Sequence, residues 1–135
     1  MIQRRKGREF ALQCLYALEI GQGDILDLKA RITHGLGPDA DEVNYGLELV
    51  DTVSNHVTEI DGRIEQHVRN WSLGRIAVID KILMRLSAAE LLYMESIPAT
   101  VSITEAVQMA EKYSTRQSSA FINGVLDSLA KEISG

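Results

Sequence analysis

The amino-acid sequence predicts an all-α protein, with about seven helices in two small packed helical bundles. Three observations carry that expectation. No stretch alternates apolar and polar residues over the length of a strand. Apolar residues recur instead at intervals of three and four through most of the chain. Where the pattern fails, Gly, Pro and helix-capping residues stand. A chain of 135 residues, 45% apolar, fits one compact domain or two small subdomains sharing a core. Aromatic residues are scarce at 5%, so Leu, Ile, Val and Ala must fill most of that core.

The first helix is expected from about residue 3 to 20, with Phe10, Cys14 and Leu18, flanked by Ala11, Leu12 and Leu15, on one broad face. Gly21 and Gly23 stop it. Asp24 can cap a short second helix through Ile25, Leu28 and Ile32, and Gly35-Leu36-Gly37-Pro38 breaks the chain. Asp39 with Glu42 reads as a capping box for a third helix. Its stripe of Val43, Leu47, Val50 and Val53 continues as Val57, Ile60, Ile64 and Val68. That run exceeds an ordinary globular helix, so a break near Ser54-Asn55 should divide it in two. Trp71 and Gly74 mark the next boundary. From Arg75 to Glu95 apolar residues lie nearly all round, as in the buried centre of a bundle. Pro98 ends the following loop, and Ser102 with Glu105 reads as a second capping box for a helix to about Tyr113. A last helix, from about Arg116 to Ile133, buries Phe121, Ile122, Val125, Leu126 and Leu129. The organisation expected is a single domain over 1–135, with subbundles at roughly 1–70 and 71–135.

Several chemistries have no support. Cys14 is the single cysteine, so no intrachain disulfide can form, and its apolar surroundings read as those of a buried thiol. His34, His56 and His67 lack metal-ligand spacing, and the latter two read as solvated surface groups. Gly21-Gln22-Gly23 is not a phosphate loop, and no nucleophile motif is present. Asp80 and Glu90, ten residues apart on one helix, are separated by about 15 Å, too far for an acid/base pair. No enzyme, metal or cofactor is expected. No secretory signal or membrane span is evident, and a cytoplasmic setting is the expectation.

Charge gives the positive signal. The chain carries −5 overall, yet Arg4, Arg5, Lys6 and Arg8 stand against Glu9 alone in the first nine residues. Arg4 and Arg8, like Arg5 and Arg8, are one turn apart and should form a basic edge. Cations at a helix N-terminus oppose the dipole, a small cost that a bound anion relieves. An anionic polymer, with single-stranded RNA foremost, fits this edge. A solubilising tip is the plainer alternative. The segment from Ser118 to Asp127 adds a second candidate: Phe121 is either core or a base-stacking platform worth about 1–3 kcal/mol. Tyr16 and Tyr113 carry the same ambiguity, and Gly124 is expected to permit close helix packing.

Read as blocks, these residues resemble the bacterial NusB family of transcription antitermination factors. The resemblance covers nearly the full length. It rests on Arg4-Arg5-Lys6-Gly7-Arg8-Glu9 with Ala11, Gln13, Leu15 and Tyr16, on Trp71 to Ile76, and on Asp80 to Arg85. It continues through Glu90-Leu91, Ile97-Pro98, Ile103 to Val107 and Phe121 to Asp127. It implies an all-helical fold of two bundles and binding of boxA RNA together with NusE, a small-subunit ribosomal protein. It also implies work within an RNA polymerase antitermination complex, notably at ribosomal RNA operons. Arg4, Arg5, Lys6 and Arg8 match the family's RNA-binding start. Gln13, Tyr16, Ser118 and Phe121 match positions near the same RNA surface, and Asp80 matches an acidic position in the NusE contact. Arg85 and Glu90 match structural positions, buried and paired. Ala120 and Gln117 depart from it, standing where some relatives carry a basic and an acidic residue. Two rivals remain: a protein-binding or self-associating module, since some members form homodimers that hide the RNA surface, and the NusB-like accessory domain of certain RNA methyltransferases.

Overall fold

The computed structural model describes residues 4–21, 40–68 and 75–134. Among them lie five helices and no strand: α1 (Arg4–Glu19), α2 (Ala40–Glu65), α3 (Val78–Tyr93), α4 (Ala99–Tyr113) and α5 (Arg116–Ser134). The sequence predicts about seven, and two particulars account for the difference. The short helix expected at 24–35 and the break at 35–38 lie outside the described residues, as do His34, Asp39 and the Trp71–Gly74 boundary. The break expected near Ser54-Asn55 is present as a kink one residue on, at His56, which joins two helical segments within one continuous element. α2 runs on for 26 residues, and only His56 leaves helical dihedrals (φ −126°, ψ 19°). This kink lets one long helix keep Val43, Val50 and Val53 before it, and Ile60 and Ile64 after it, in the core.

α1 ends where the sequence predicts. Gly21 takes φ +78°, a conformation that costs glycine little, and its N–H donates to the Leu18 carbonyl at 3.1 Å. α3 is the centre: Ile82, Leu83, Met84, Leu86, Ala88 and Ala89 are buried, and it packs against all four other helices. α4 begins earlier than expected, with Pro98 as its N-cap. The predicted capping box of Ser102 and Glu105 is therefore wrong. Both sit inside the helix, and their side chains serve tertiary partners instead. At α5 the cap is Thr115, whose Oγ1 accepts the Ser118 N–H at 3.0 Å. No described helix is long and apolar enough to cross a membrane.

The closest helix contact is between α1 and α2. A Cβ on Gly46 would lie 2.6 Å from Phe10 Cδ1 and 2.7 Å from the Gly7 carbonyl oxygen. One on Gly7 would lie 2.8 Å from the Glu42 carbonyl oxygen. The sequence had placed close packing at Gly124 instead. That glycine is exposed, and a Cβ there meets nothing within 4 Å. Gly124→Ala should therefore raise stability by about 0.5–1 kcal/mol, the helix-interior difference between the two residues, read as a higher urea midpoint with unchanged slope.

Candidate nucleic-acid interface

The four N-terminal cations do not form one edge. Arg4 and Lys6 are exposed and have no carboxylate partner among the described residues; the Arg4 guanidinium lies 5.4 Å from the Tyr45 ring centroid. Arg5 is half-buried and donates to Glu105 and Gln108 of α4. Arg8 is 4% exposed, with Nε 2.9 Å from Glu90 Oε2 and Nη1 3.7 Å from Glu105 Oε1. Sequence reasoning set Arg8 on the solvent edge; the structure places it inside. The spacing carried a signal for this. Arg8 shares a stripe with Ala11, Leu12 and Leu15, all buried.

Glu90 is the reason a cation can be buried there. It is 1% exposed, at the centre of α3, and its carboxylate accepts from three other helices. Arg8 Nε comes from α1, the Tyr45 hydroxyl from α2, and Ser102 Oγ from α4 at 2.6 Å. Ser102 spends its one hydroxyl proton on Glu90, so Ser87 must donate in the 2.8 Å contact between the two serines. Burial, reinforced by the Glu90 charge, pushes the Tyr45 phenol far above its usual value, so it remains a donor. The reading of Glu90 as buried and paired agrees with this. Arg85 is paired too, through two 2.8 Å bonds to Asp61 on α2.

Lys6, Glu9, Gln13 and Tyr16 follow at spacings of three, four and three, and make an outward stripe along α1. Gln13 is exposed and Tyr16 is 39% exposed, a surface position rather than core. Glu9 is braced by Lys112 Nζ at 2.8 Å and by the Tyr113 hydroxyl. Burial alone would raise the Glu9 carboxyl, but the hydrogen bonds from Lys112 and Tyr113 outweigh it and hold it below its ordinary value. The end of α4 is thereby fixed against the middle of α1.

A second surface opens between the starts of α3 and α5. A cleft of about 350 Å³ is lined by Arg75, Ile76, Asp80, Gln117, Ser118 and Phe121. Asp80 is 5% exposed, in the first turn of α3, where the helix dipole favours a carboxylate; its Oδ1 has no hydrogen-bond partner among the described residues. Phe121 is half-buried. Part of its ring packs on the core and part lines the cleft, so it is neither of the two extremes posed from sequence. The Lys81–Glu19 pair at 2.6 Å ties the end of α1 to the first turn of α3.

The structure thus brings Asp80, Ser118 and Phe121 together, sets Lys6 and Gln13 around one small pocket, withdraws Arg8 from solvent and leaves Arg5 half-exposed against α4. Arg75 and Lys112 are neighbours of these residues to which sequence reasoning gave no site role; Glu42 was read only as half of a capping box, and Tyr113 as core or stacking platform rather than as part of a brace on Glu9. Glu42 was legible in part, because it falls on a stripe with Gly46, Leu49 and Val53. His67 is not the solvated group expected: its ring bonds Ser128 Oγ at 2.7 Å and Glu132, both on α5. His56 is exposed but stacks on Tyr93, with ring centroids 4.1 Å apart.

The transcription antitermination protein NusB of Chloroherpeton thalassium is 39% identical to this chain over 134 residues. That match covers 98% of this chain but 64% of the relative, so the chain spans less than two thirds of that protein. The NusB protein of Myxococcus xanthus is 42% identical over 133 residues, covering 94% of each chain. The fold superposes with a TM-score of 0.87, at 29% identity, on a chain in the crystal structure of antitermination factors NusB and NusE in complex with dsRNA, covering 98% of this chain and 99% of that one. The NusB family model matches residues 5–131, and with these relatives at about 40% identity the chain belongs to the NusB family.

Proposed function

We propose that this chain is a cytoplasmic, RNA-binding transcription antitermination factor that binds boxA RNA jointly with NusE, in RNA polymerase complexes on ribosomal RNA operons. The observation that carries this is the pair of exposed cations Arg4 and Lys6, which no carboxylate among the described residues pairs, beside the Gln13 and Tyr16 stripe, on a body otherwise acidic. The NusB and NusE complex with dsRNA supports both partners. In this reading Arg4 and Lys6 hold phosphates, while Gln13 and Tyr16 meet the bases. Ser118 and Phe121 extend the RNA surface into the second cleft, and Asp80 at its floor faces a basic NusE. Arg8 takes a different part from the one its charge suggested, holding α1 in place from within, while the half-exposed Arg5 braces α4 and borders the RNA surface. One domain with subbundles at roughly 1–70 and 71–135 fits this division, with α1 packed on α2, α4 on α5, and α3 joining both.

Two phosphate contacts from α1 fix the test. For single strands each contact adds about 0.7 to the dependence of log K on log salt. Replacing Arg4 and Lys6 together by Ala should make that slope shallower by about 1.4, and weaken boxA and scrambled RNA alike. Titration of the full chain with NusE at several salt concentrations measures it. An unchanged slope refutes the phosphate assignment.

A further inference from the structure

We propose that the pocket between the starts of α1 and α4 is a phosphate-binding site. One phosphate group sits there between the guanidinium groups of Arg4, Arg5 and Arg8 and the free backbone N–H groups of α4. The RNA-binding reading places phosphates on Arg4 and Lys6 at the outer face of α1; this site goes beyond it, drawing on Arg8 and on a second helix. The pocket holds about 390 Å³ and is lined by Arg4, Arg5, Arg8, Ile97, Pro98, Val101 and Glu105.

Arg8 is the reason to expect an occupant. It is 4% exposed, with Nε spent on Glu90 and Nη1 3.7 Å from Glu105, but its buried Nη2 has no hydrogen-bond partner among the described residues. A buried charged donor left unmatched is costly, and native structures rarely carry one without a role. An anion in the pocket that Arg8 helps to line would supply the missing acceptor.

The start of α4 points to the same ligand independently. Its N-cap, Pro98, offers no side-chain cap, and its first turn holds no acidic residue. The Ser102 N–H reaches the Pro98 carbonyl at 3.1 Å, which leaves the N–H groups of Ala99, Thr100 and Val101 without an intrahelical acceptor. They stand at the positive end of a 15-residue helix, where Pro98 and Val101 line the pocket.

Charge and shape select among ligands. The three guanidinium groups face two carboxylates, Glu90 and Glu105, so one positive charge is left in excess and a cationic side chain is disfavoured. A tetrahedral phosphate can accept from the arginines of α1 and the amides of α4 at once, whereas a carboxylate has only two oxygens in one plane. Beyond Arg4 the neighbouring cleft is lined by Asp41, Glu48 and Glu95, so a polyanion is repelled from continuing that way. The site therefore suits a single phosphate, carried at a bend or end of an RNA strand or on a free small molecule.

The full chain without RNA is titrated with inorganic phosphate at constant ionic strength. Nuclear magnetic resonance follows the amides of Ala99, Thr100 and Val101 and the Arg8 Nε signal. All four should shift and saturate, with no such response to chloride or acetate. Thr100→Asp places a carboxylate at an exposed position in the first turn of α4, where the dipole favours it. It should melt no lower than the wild type and bind phosphate about tenfold more weakly. Arg4→Ala should weaken phosphate by a similar factor. Adding boxA RNA with NusE identifies the source: displacement of inorganic phosphate assigns the site to an RNA phosphate, and undiminished phosphate binding assigns it to a free ligand. Signals that do not saturate, an equal response to acetate, or unchanged affinity in both variants overturns the phosphate site. RNA binding that persists in that case leaves the RNA-binding reading standing, and its absence in a chain that still binds phosphate refutes that reading alone.

Discussion

Arg8→Ala is expected to destabilise the fold by about 3 kcal/mol, a large part of the 5–15 kcal/mol that holds a domain together. The cost arises from what is left behind. Glu90 stays buried, with Tyr45 and Ser102 as donors but without its cation. Breaking a buried pair from one side costs about 3–5 kcal/mol. The lower end applies here because Arg8 is itself incompletely matched: its buried Nη2 has no partner among the described residues, which already costs the native state something. Urea unfolding of Arg8→Ala, Glu90→Gln and the double variant measures the effect and its origin. The two changes should be non-additive by about 0.5–3 kcal/mol, since each removes the same interaction. A loss below about 0.5 kcal/mol for Arg8→Ala, as at a surface site, would show that the guanidinium is not buried against Glu90.

Gly46→Ala should destabilise by about 2 kcal/mol, opposite in sign to the same substitution at Gly124. Both glycines stand inside helices, and both substitutions gain about 1 kcal/mol of helix propensity. At Gly46 the added methyl meets Phe10, which is buried and cannot swing aside, and the backbone oxygen of Gly7, which moves only if α1 moves. Overpacking of that kind costs about 1–3 kcal/mol, and contact with rigid backbone puts this case at the top of the range. Thermal or urea unfolding of the two single variants, side by side, decides it: equal shifts would mean that the α1–α2 contact is looser than described.

The helices themselves were largely legible, because burying a face imposes a period. α1, α5 and the all-round apolar α3 follow from spacing alone. What failed was local chemistry that a distant residue takes over. Ser102 and Glu105 have the spacing of a capping box, but Glu90 and the arginines of α1 claim their side chains, and Pro98 starts the helix instead. The long α2 stripe was correctly read as too long to be regular: the expected break falls at His56, where a kink joins two helical segments. Gly46 and Gly124 look alike along the chain, since only the partner helix tells them apart.

The candidate interface was legible by charge and misjudged by geometry. Four basic residues in five positions read as one patch. The helical period carries two of them towards solvent and two against carboxylates about eighty to a hundred residues away. Asp80, Ser118 and Phe121 were named singly, and folding collects them around one cleft.

The Glu90 junction has a consequence for the order in which the molecule matures. The acceptor that seats Arg8 is made 82 residues after it, and the Glu105 that steadies Arg5 100 residues after that arginine. Closing such long loops is entropically expensive and comes late. While the intervening residues are being made these arginines therefore lack their sockets, and the nascent chain seats α1 only after α3 and α4 have emerged.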